Sequence, residues 1–401
     1  MRILILHNAY QRAGGEDTVV AAESEMLRDA GHEVIVEKVT NDAIQGAAAK
    51  ARAFLLTPYD PARKQWAADL VRRTGAEVVH VHNFFPLMTP AVHEGAREAG
   101  AAVVQTLHNY RLLCAGAQFL REGAVCEKCI TSSRIWGAVH RCYRGSAPGS
   151  VALVRMQHRA EQHGTWKKHV DRFIALTQFA RSKFIEGGLP ADKIAVKPNS
   201  IRDASAPGIH ARSGALFVGR LSVEKGVDVL MKAWAKIPDM QLTVLGDGPE
   251  RATLEAMAPS NVTFKGGVSG EAVRQHMLEA EVLLMPSIWY EGFPMTAVEA
   301  YAAGLPVIAS RIGSLTEIVE PSTGALFEPG NSDDLAAKVH ALRASVGFAD
   351  LGKGARQAFE QKYNPSANLR QLEGIYQDAL RARNAASGNV AAREVTAPTP
   401  A

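Results

Sequence analysis

Apolar and polar positions along the chain alternate between short unbroken apolar runs and longer stretches in which apolar residues recur every three or four positions. "RILIL" reads as a first strand, a loop holding Gly14 and Gly15 follows, and a helix runs from about Asp17 to Ala30. "HEVIVEKV", "EVVHVH", "AAVVQTLH", "RFIALT" and "IAVKPNS" continue the strand series. Strands alternating with helical patterns predict a parallel sheet covered on both faces.

The rhythm breaks at "RDASAPGIHARS" and then restarts. "ALFVGR", "MQLTVLGDG", "NVTFKGG", "VLLMPS" and "LPVIAS" read as strands. "GVDVLMKAWAKI", "EAVRQHMLEA" and "MTAVEAYAAG" read as helices. The pattern therefore predicts two α/β, doubly wound domains. We expect an N-terminal domain over 1–200, a linker over 201–213 and a second domain over 214–365. A helix over 366–385 crosses back toward the first domain, and 386–401 forms a small, polar, irregular tail.

Composition adds bounds to this picture. With 401 residues, 47% hydrophobic and 21% charged, the chain exceeds one ordinary domain and suits a globular protein. No apolar run reaches the roughly eighteen residues of a membrane span, and the opening apolar run is too short for a signal peptide, so the expected place is the cytoplasm. A net charge of +4 is too mild for a dedicated nucleic-acid binder. The charge is uneven, however. Arg141, Arg144, Arg155, Arg159, Lys167, Lys168, Arg172, Arg181 and Lys183 crowd one stretch. That stretch reads either as a solvated helical face or as a surface for an anionic membrane or phosphorylated acceptor.

Candidate chemistry concentrates at predicted strand ends. In "FVGRLSVEKG" a strand ends, Gly219 turns the backbone, and Arg220 and Lys225 follow, cations placed to hold a pyrophosphate. In "WYEGFPMTAVEAYAAG" Gly292 permits close approach, Phe293 follows it, and Pro294 stands at an expected first helical position. The helix N-terminus then offers the N–H groups of Met295 and Thr296 to another phosphate. With a nucleotide sugar bound there, Glu291, in the turn, would face its sugar side, and Glu299, more than a turn into the helix, could accept from ribose hydroxyls. All four cysteines, Cys114, Cys126, Cys129 and Cys142, share one irregular stretch with a single Cys-x-x-Cys pair, a pattern that reads as structural zinc or as reduced thiols in an acceptor-side insertion.

Together "GRLSVEKG", "LGDGPE", "YEGFPMTAVEAYAAGLPVIAS", "GSLTEIVE" and "GALFEPGNSDDLA" resemble the donor domain of glycosyltransferase family 4. "HNAYQRAGGED", "VVHVHNFFP" and "TLHNYRLLC" resemble its first domain. The resemblance implies a GT-B fold, two Rossmann-like domains facing across a cleft, and a retaining transfer of sugar from a nucleotide-sugar donor to a glycan or lipid-linked glycan, as in cell-surface polysaccharide biosynthesis. It implies Arg220 and Lys225 at the diphosphate, Glu299 at the ribose and Glu291 at the transferred sugar. Gly15 would pack near the phosphates and His108 would meet the reacting sugar and acceptor. His80 and His82, two apart on one strand, share a face and read as packing residues more than as catalytic ones. No cofactor is expected for catalysis, in keeping with a chain that has no Asp-x-Asp triplet, and no nucleic acid is expected as a partner. The implied place is the cytoplasmic face of an inner membrane. A non-hydrolysing nucleotide-sugar epimerase and a non-catalytic scaffold of the same fold are the competing readings.

Overall fold

The computed structural model of the chain describes residues 1–9, 14–203, 212–345 and 347–395. In the first half lie β1 (Arg2–Ala9), β2 (Glu33–Thr40), β3 (Val78–Asn83) and β4 (Ala102–Leu107). A hairpin follows, β5 (Leu120–Arg121) with β6 (Ala124–Val125), and then come β7 (Arg172–Ala175) and β8 (Ile194–Val196). All but the hairpin form one parallel sheet in the order β2-β1-β3-β4-β7-β8. The second half carries β9 (Ala215–Val218), β10 (Leu242–Leu245), β11 (Val262–Gly266), β12 (Val282–Met285), β13 (Val307–Ser310) and β14 (Gly324–Phe327). They form another parallel sheet, ordered β11-β10-β9-β12-β13-β14.

Every residue of β3 and β4 is buried, as a parallel sheet covered on both faces requires. That burial carries His80 and His82 into the interior. Chain direction across the sheet reverses between β1 and β3 in one half and between β9 and β12 in the other. Ligand crevices in doubly wound sheets open beside such reversals, at the strands' carboxyl ends.

Sheet one ends at Val196 and sheet two begins at Ala215, so the domain change falls where the periodicity breaks. Most of the expected linker, residues 204–211, lies outside the described residues. The final helix, Pro365–Val395, returns to the first domain. Its Leu372, Ile375, Tyr376 and Ala379 pack with Ile3, Ile5, Val78 and Ala102 in one core cluster. This helix is longer than its sequence pattern predicted, running through much of the expected tail, where alanine and arginine favour helix. Residues 396–401 lie outside the described part. β14 is a strand that the sequence pattern did not single out, because its apolar run is so short.

Candidate active site

The glycine loop of the first domain meets the helix start of the second. Gly15 opens the helix Gly15–Asp29, and a Cβ built on it would lie 3.9 Å from Met295 Cγ. Gly292 comes closer still. A Cβ there would stand 2.5 Å from the carbonyl oxygen of His108, so the turn before the helix Met295–Ala302 can reach the end of β4 only as glycine. Pro294 is the residue before that helix, with φ −78° and ψ 96°, and not its first residue as the sequence suggested. The first N–H groups, those of Met295 and Thr296, still lie beyond the reach of the helix's own bonding. Phe293 turns the other way and packs toward Tyr363, with ring centroids 6.1 Å apart.

Beside this junction Lys225 Nζ donates to Glu291 Oε1 at 2.6 Å, and Ser287 Oγ donates to the same oxygen at 2.7 Å. Glu291 is only 5% exposed, so its charge stays inside because Lys225 and Ser287 satisfy it. Lys225 is itself largely covered and holds a buried carboxylate. Arg220, just past Gly219 at the end of β9, is exposed and has no side-chain partner among the described residues. Of the two predicted phosphate ligands, Arg220 is therefore the unengaged one.

Glu299 lines a cavity of about 350 Å³ with Ile201, Arg202, Val218, Val273 and Arg274. Burial raises its carboxyl above the ordinary range. The cavity opens at the carboxyl end of β9, beside the reversal in strand order.

On the first domain's side, His108 closes β4. Its Nε2 lies 2.9 Å from His82 Nδ1, and burial pulls its imidazole down to about 4, despite the opposing pull of Glu23. His7 Nε2 lies 2.9 Å from Asp17 Oδ1, while Asp17 Oδ2 accepts from the N–H of Gly14, which fixes the start of the glycine loop. Asn109, following His108, donates to Glu16 at 2.7 Å. A second bridge spans the domains where Glu317 accepts from the N–H groups of Gln178 and Phe179, at 3.0 and 3.1 Å. It caps the helix Gln178–Glu186.

The cysteines gather in one insertion, close enough that Cys129 feels the thiols of Cys114, Cys142 and Cys126. Zinc–sulfur bonds of about 2.3 Å would bring the sulfurs within about 4 Å of one another. Among the described residues no three of the cysteines close to within 4.8 Å. Burial, followed by the neighbouring thiols, pushes Cys129 up to about 11, which favours the neutral thiol. The basic stretch is also less free than its composition implied. Arg155 lies over Phe54 and Arg159 over Tyr59, Arg181 donates to the carbonyls of Ile194 and Ala191, and Lys183 pairs with Glu127.

Sequence reasoning passed over Glu23, Lys197, Asp17 and Glu317. Two of them left a trace. Glu23 interrupts the apolar stripe of its helix, and Lys197 interrupts the apolar run "IAVKP", positions where a charge needs a buried partner.

Comparison with known proteins places this geometry. The model described as Glycosyltransferase Family 4 matches residues 13–204, and that described as Glycosyl transferases group 1 matches residues 212–345. A glycosyltransferase of Methanocaldococcus jannaschii is 31% identical over 41% of this chain and 45% of its own length. The amylovoran biosynthesis glycosyltransferase AmsK of Erwinia amylovora is 28% identical over 56% of this chain and 61% of its own. The chain thus spans about half the length of these curated relatives. Among solved structures, Anabaena HepE in complex with UDP-glucose superposes with a TM-score of 0.64 at 18% identity, covering 94% of this chain and 100% of that one, a likeness of fold. Matched by both models in chain order and built as two facing doubly wound domains, this chain belongs to the group 1 and family 4 glycosyltransferases and has the GT-B fold.

Proposed function

We propose that the protein transfers a sugar from a nucleotide-sugar donor to a glycan acceptor, with retention of anomeric configuration, in the assembly of a cell-surface polysaccharide. The observation that carries this reading is the meeting of Gly15 and His108 with Met295 and Gly292, beside the Lys225–Glu291 pair. A sugar diphosphate placed there has the exposed Arg220 and the free N–H groups of Met295 and Thr296 on its phosphate side. Glu291, held in place by Ser287 and Lys225, faces the sugar hydroxyls. Glu299 and its cavity take the ribose end, where an ionised carboxylate accepts from hydroxyls. Arg220 and the helix N-terminus counter the charge that grows on the leaving diphosphate, the work a metal does in other transferases. His108 faces the reacting sugar from the opposite domain. The UDP-glucose bound by HepE supports a uridine donor.

The acceptor is lipid-linked in this reading, and the first domain supplies the membrane face. The helix Gly46–Leu56 is rich in alanine and leucine, yet none of its described residues is buried. It roofs a cavity of about 710 Å³ lined by Val39, Ala53, Leu56, Trp66 and Leu87, with Arg52 and Arg63 among them. Leu55, Ile135 and Val139 project as exposed apolar side chains on the same domain. Among the described residues no helix is long and apolar enough to cross a membrane. Apolar side chains beside cations suit adsorption to an anionic bilayer instead.

A thermal-shift panel of nucleotide sugars without added metal tests the donor. At a hundred times its dissociation constant the right donor adds about 2.7 kcal/mol. NMR of the product's anomeric centre tests retention, and co-sedimentation with anionic against neutral vesicles tests the membrane face. An inverted product, or a panel without response in folded protein, overturns the corresponding part.

A further inference from the structure

Beneath His108 runs a chain of buried polar groups that the transfer reading does not use. His108 Nε2 meets His82 Nδ1 at 2.9 Å, and His82 Nε2 faces Glu23 Oε2 at 3.3 Å. That contact does not have hydrogen-bond geometry, and neither of the latter two atoms has a hydrogen-bond partner among the described residues. Glu23 Oε1 accepts from Lys197 Nζ at 2.6 Å, and Lys197 donates onward to Asn368 Oδ1 at 2.8 Å. Asn368 belongs to the final helix, which also sends Tyr376 OH to within 2.8 Å of His80 Nδ1. The elements that meet here are β3, β4, β8, the first helix and the returning last helix.

Glu23, His80 and His82 place one ligand atom each within 4.8 Å of one another, a spacing a metal could use. The partners present argue otherwise. An ammonium already sits on Glu23, and both nitrogens of His80 are engaged, by Tyr376 and by Thr106 at 2.7 Å.

What remains is a question of protons. Glu23 is an ionised acceptor, because its burial, which opposes the charge, is outweighed by Lys197 beside it, and its carboxyl stays below the ordinary value. Both His82 and His108 stay neutral, each pulled down chiefly by burial. A neutral imidazole has one N–H and one lone pair. The carboxylate of Glu23, 3.3 Å away and able only to accept, draws the His82 proton to Nε2, which leaves Nδ1 to accept and assigns the proton between the two rings to His108 Nε2. His108 Nδ1 is then left as a lone pair.

We infer that Glu23 is a positioning residue that acts through His82 to fix the tautomer of His108, so that the nitrogen turned away from His82 accepts a hydrogen bond from a substrate hydroxyl and cannot donate one. Lys197 and Asn368 hold Glu23 in place, which makes the docked final helix a condition for the right tautomer. The kinetic consequence rests on the transfer reading. The tautomer itself does not.

Glu23→Gln separates the two. The amide oxygen must serve Lys197, leaving the amide N–H to donate to His82 Nε2. His82 then donates from Nδ1, and the proton on His108 moves to Nδ1. Nitrogen-15 NMR of the histidine side chains in the full chain should show His108 protonated at Nε2 in the wild type and at Nδ1 in Glu23→Gln. In the same variant kcat should fall about tenfold with KM for the nucleotide sugar nearly unchanged. A wild-type His108 protonated at Nδ1 overturns the inference without any variant. So does a folded Glu23→Gln protein whose tautomer is unchanged. A tautomer that switches in a protein showing no transfer upholds the relay and instead counts against the transfer reading.

Discussion

The two domains share a strand–helix rhythm but place their charges in opposite ways. In the first, Glu23, Lys197, His7, His80 and His82 are all buried in or beside the sheet. In the second, the interior is apolar, and Glu291, sitting in a loop, is the one buried charge among the described residues. Strand order differs too, with one strand, β2, beyond the reversal at β1 in the first sheet and two, β10 and β11, beyond the reversal at β9 in the second. The contrast teaches how a shared cleft divides its tasks. On the proposed reading, the second domain holds the donor from loops and helix starts past its strand ends, while His108 is fixed from below by buried groups of the first domain.

The strongest way to break this comparison is His108→Ala. If the first domain positions the reaction and the second holds the donor, turnover should fall about a hundredfold or more while the thermal shift given by the donor survives. Loss of that shift would place His108 in donor binding and erase the division. Lys225→Ala comes next, because it leaves the buried Glu291 unpaired. We expect a cost of about 1–3 kcal/mol, a melting point lower by several degrees, together with lost transfer. Adding Glu291→Gln should recover the melting point and leave activity low.

Glu299→Gln should cut transfer efficiency by roughly ten- to a hundredfold, the effect of one charge-assisted hydrogen bond. Its pH dependence sharpens the test. Burial raises the folded carboxyl, so the folded state holds that proton more tightly than the unfolded chain. Stability from this group is therefore present at low pH and lost as pH rises through the folded value, whereas donor binding needs the ionised form and weakens as pH falls. The donor-free Gln variant should lack that slope in a melting-point series. The smallest effect belongs to Glu317→Gln, which weakens an exposed cap between domains. KM should rise a few-fold with kcat nearly constant, since roughly half to one kcal/mol is at stake.

The sequence reached the two-domain plan because parallel strands buried on both faces are written as apolar runs, and "EVVHVH" and "VLLMPS" show it directly. The helix start after "EGFP", and the glycines beside it, were legible for the same local reason. Glycine at 292 marks a close approach, although which atom approaches was not written there. Pro294 was misplaced by one position, since a proline fits both just before and at the first helical residue.

The sequence by itself therefore determined the order of strands and helices, the domain change near residue 200 and the residue types at the strand ends, all set by short-range periodicity and turn chemistry. Only the tertiary structure decided that Lys225 pairs with Glu291 and that His82 stands between His108 and Glu23. Those outcomes depend on contacts between residues as far apart as Glu23 and Lys197, or Lys197 and Asn368, and on the burial that makes an unpaired charge costly. Local pattern carries no record of which distant partner will meet that cost.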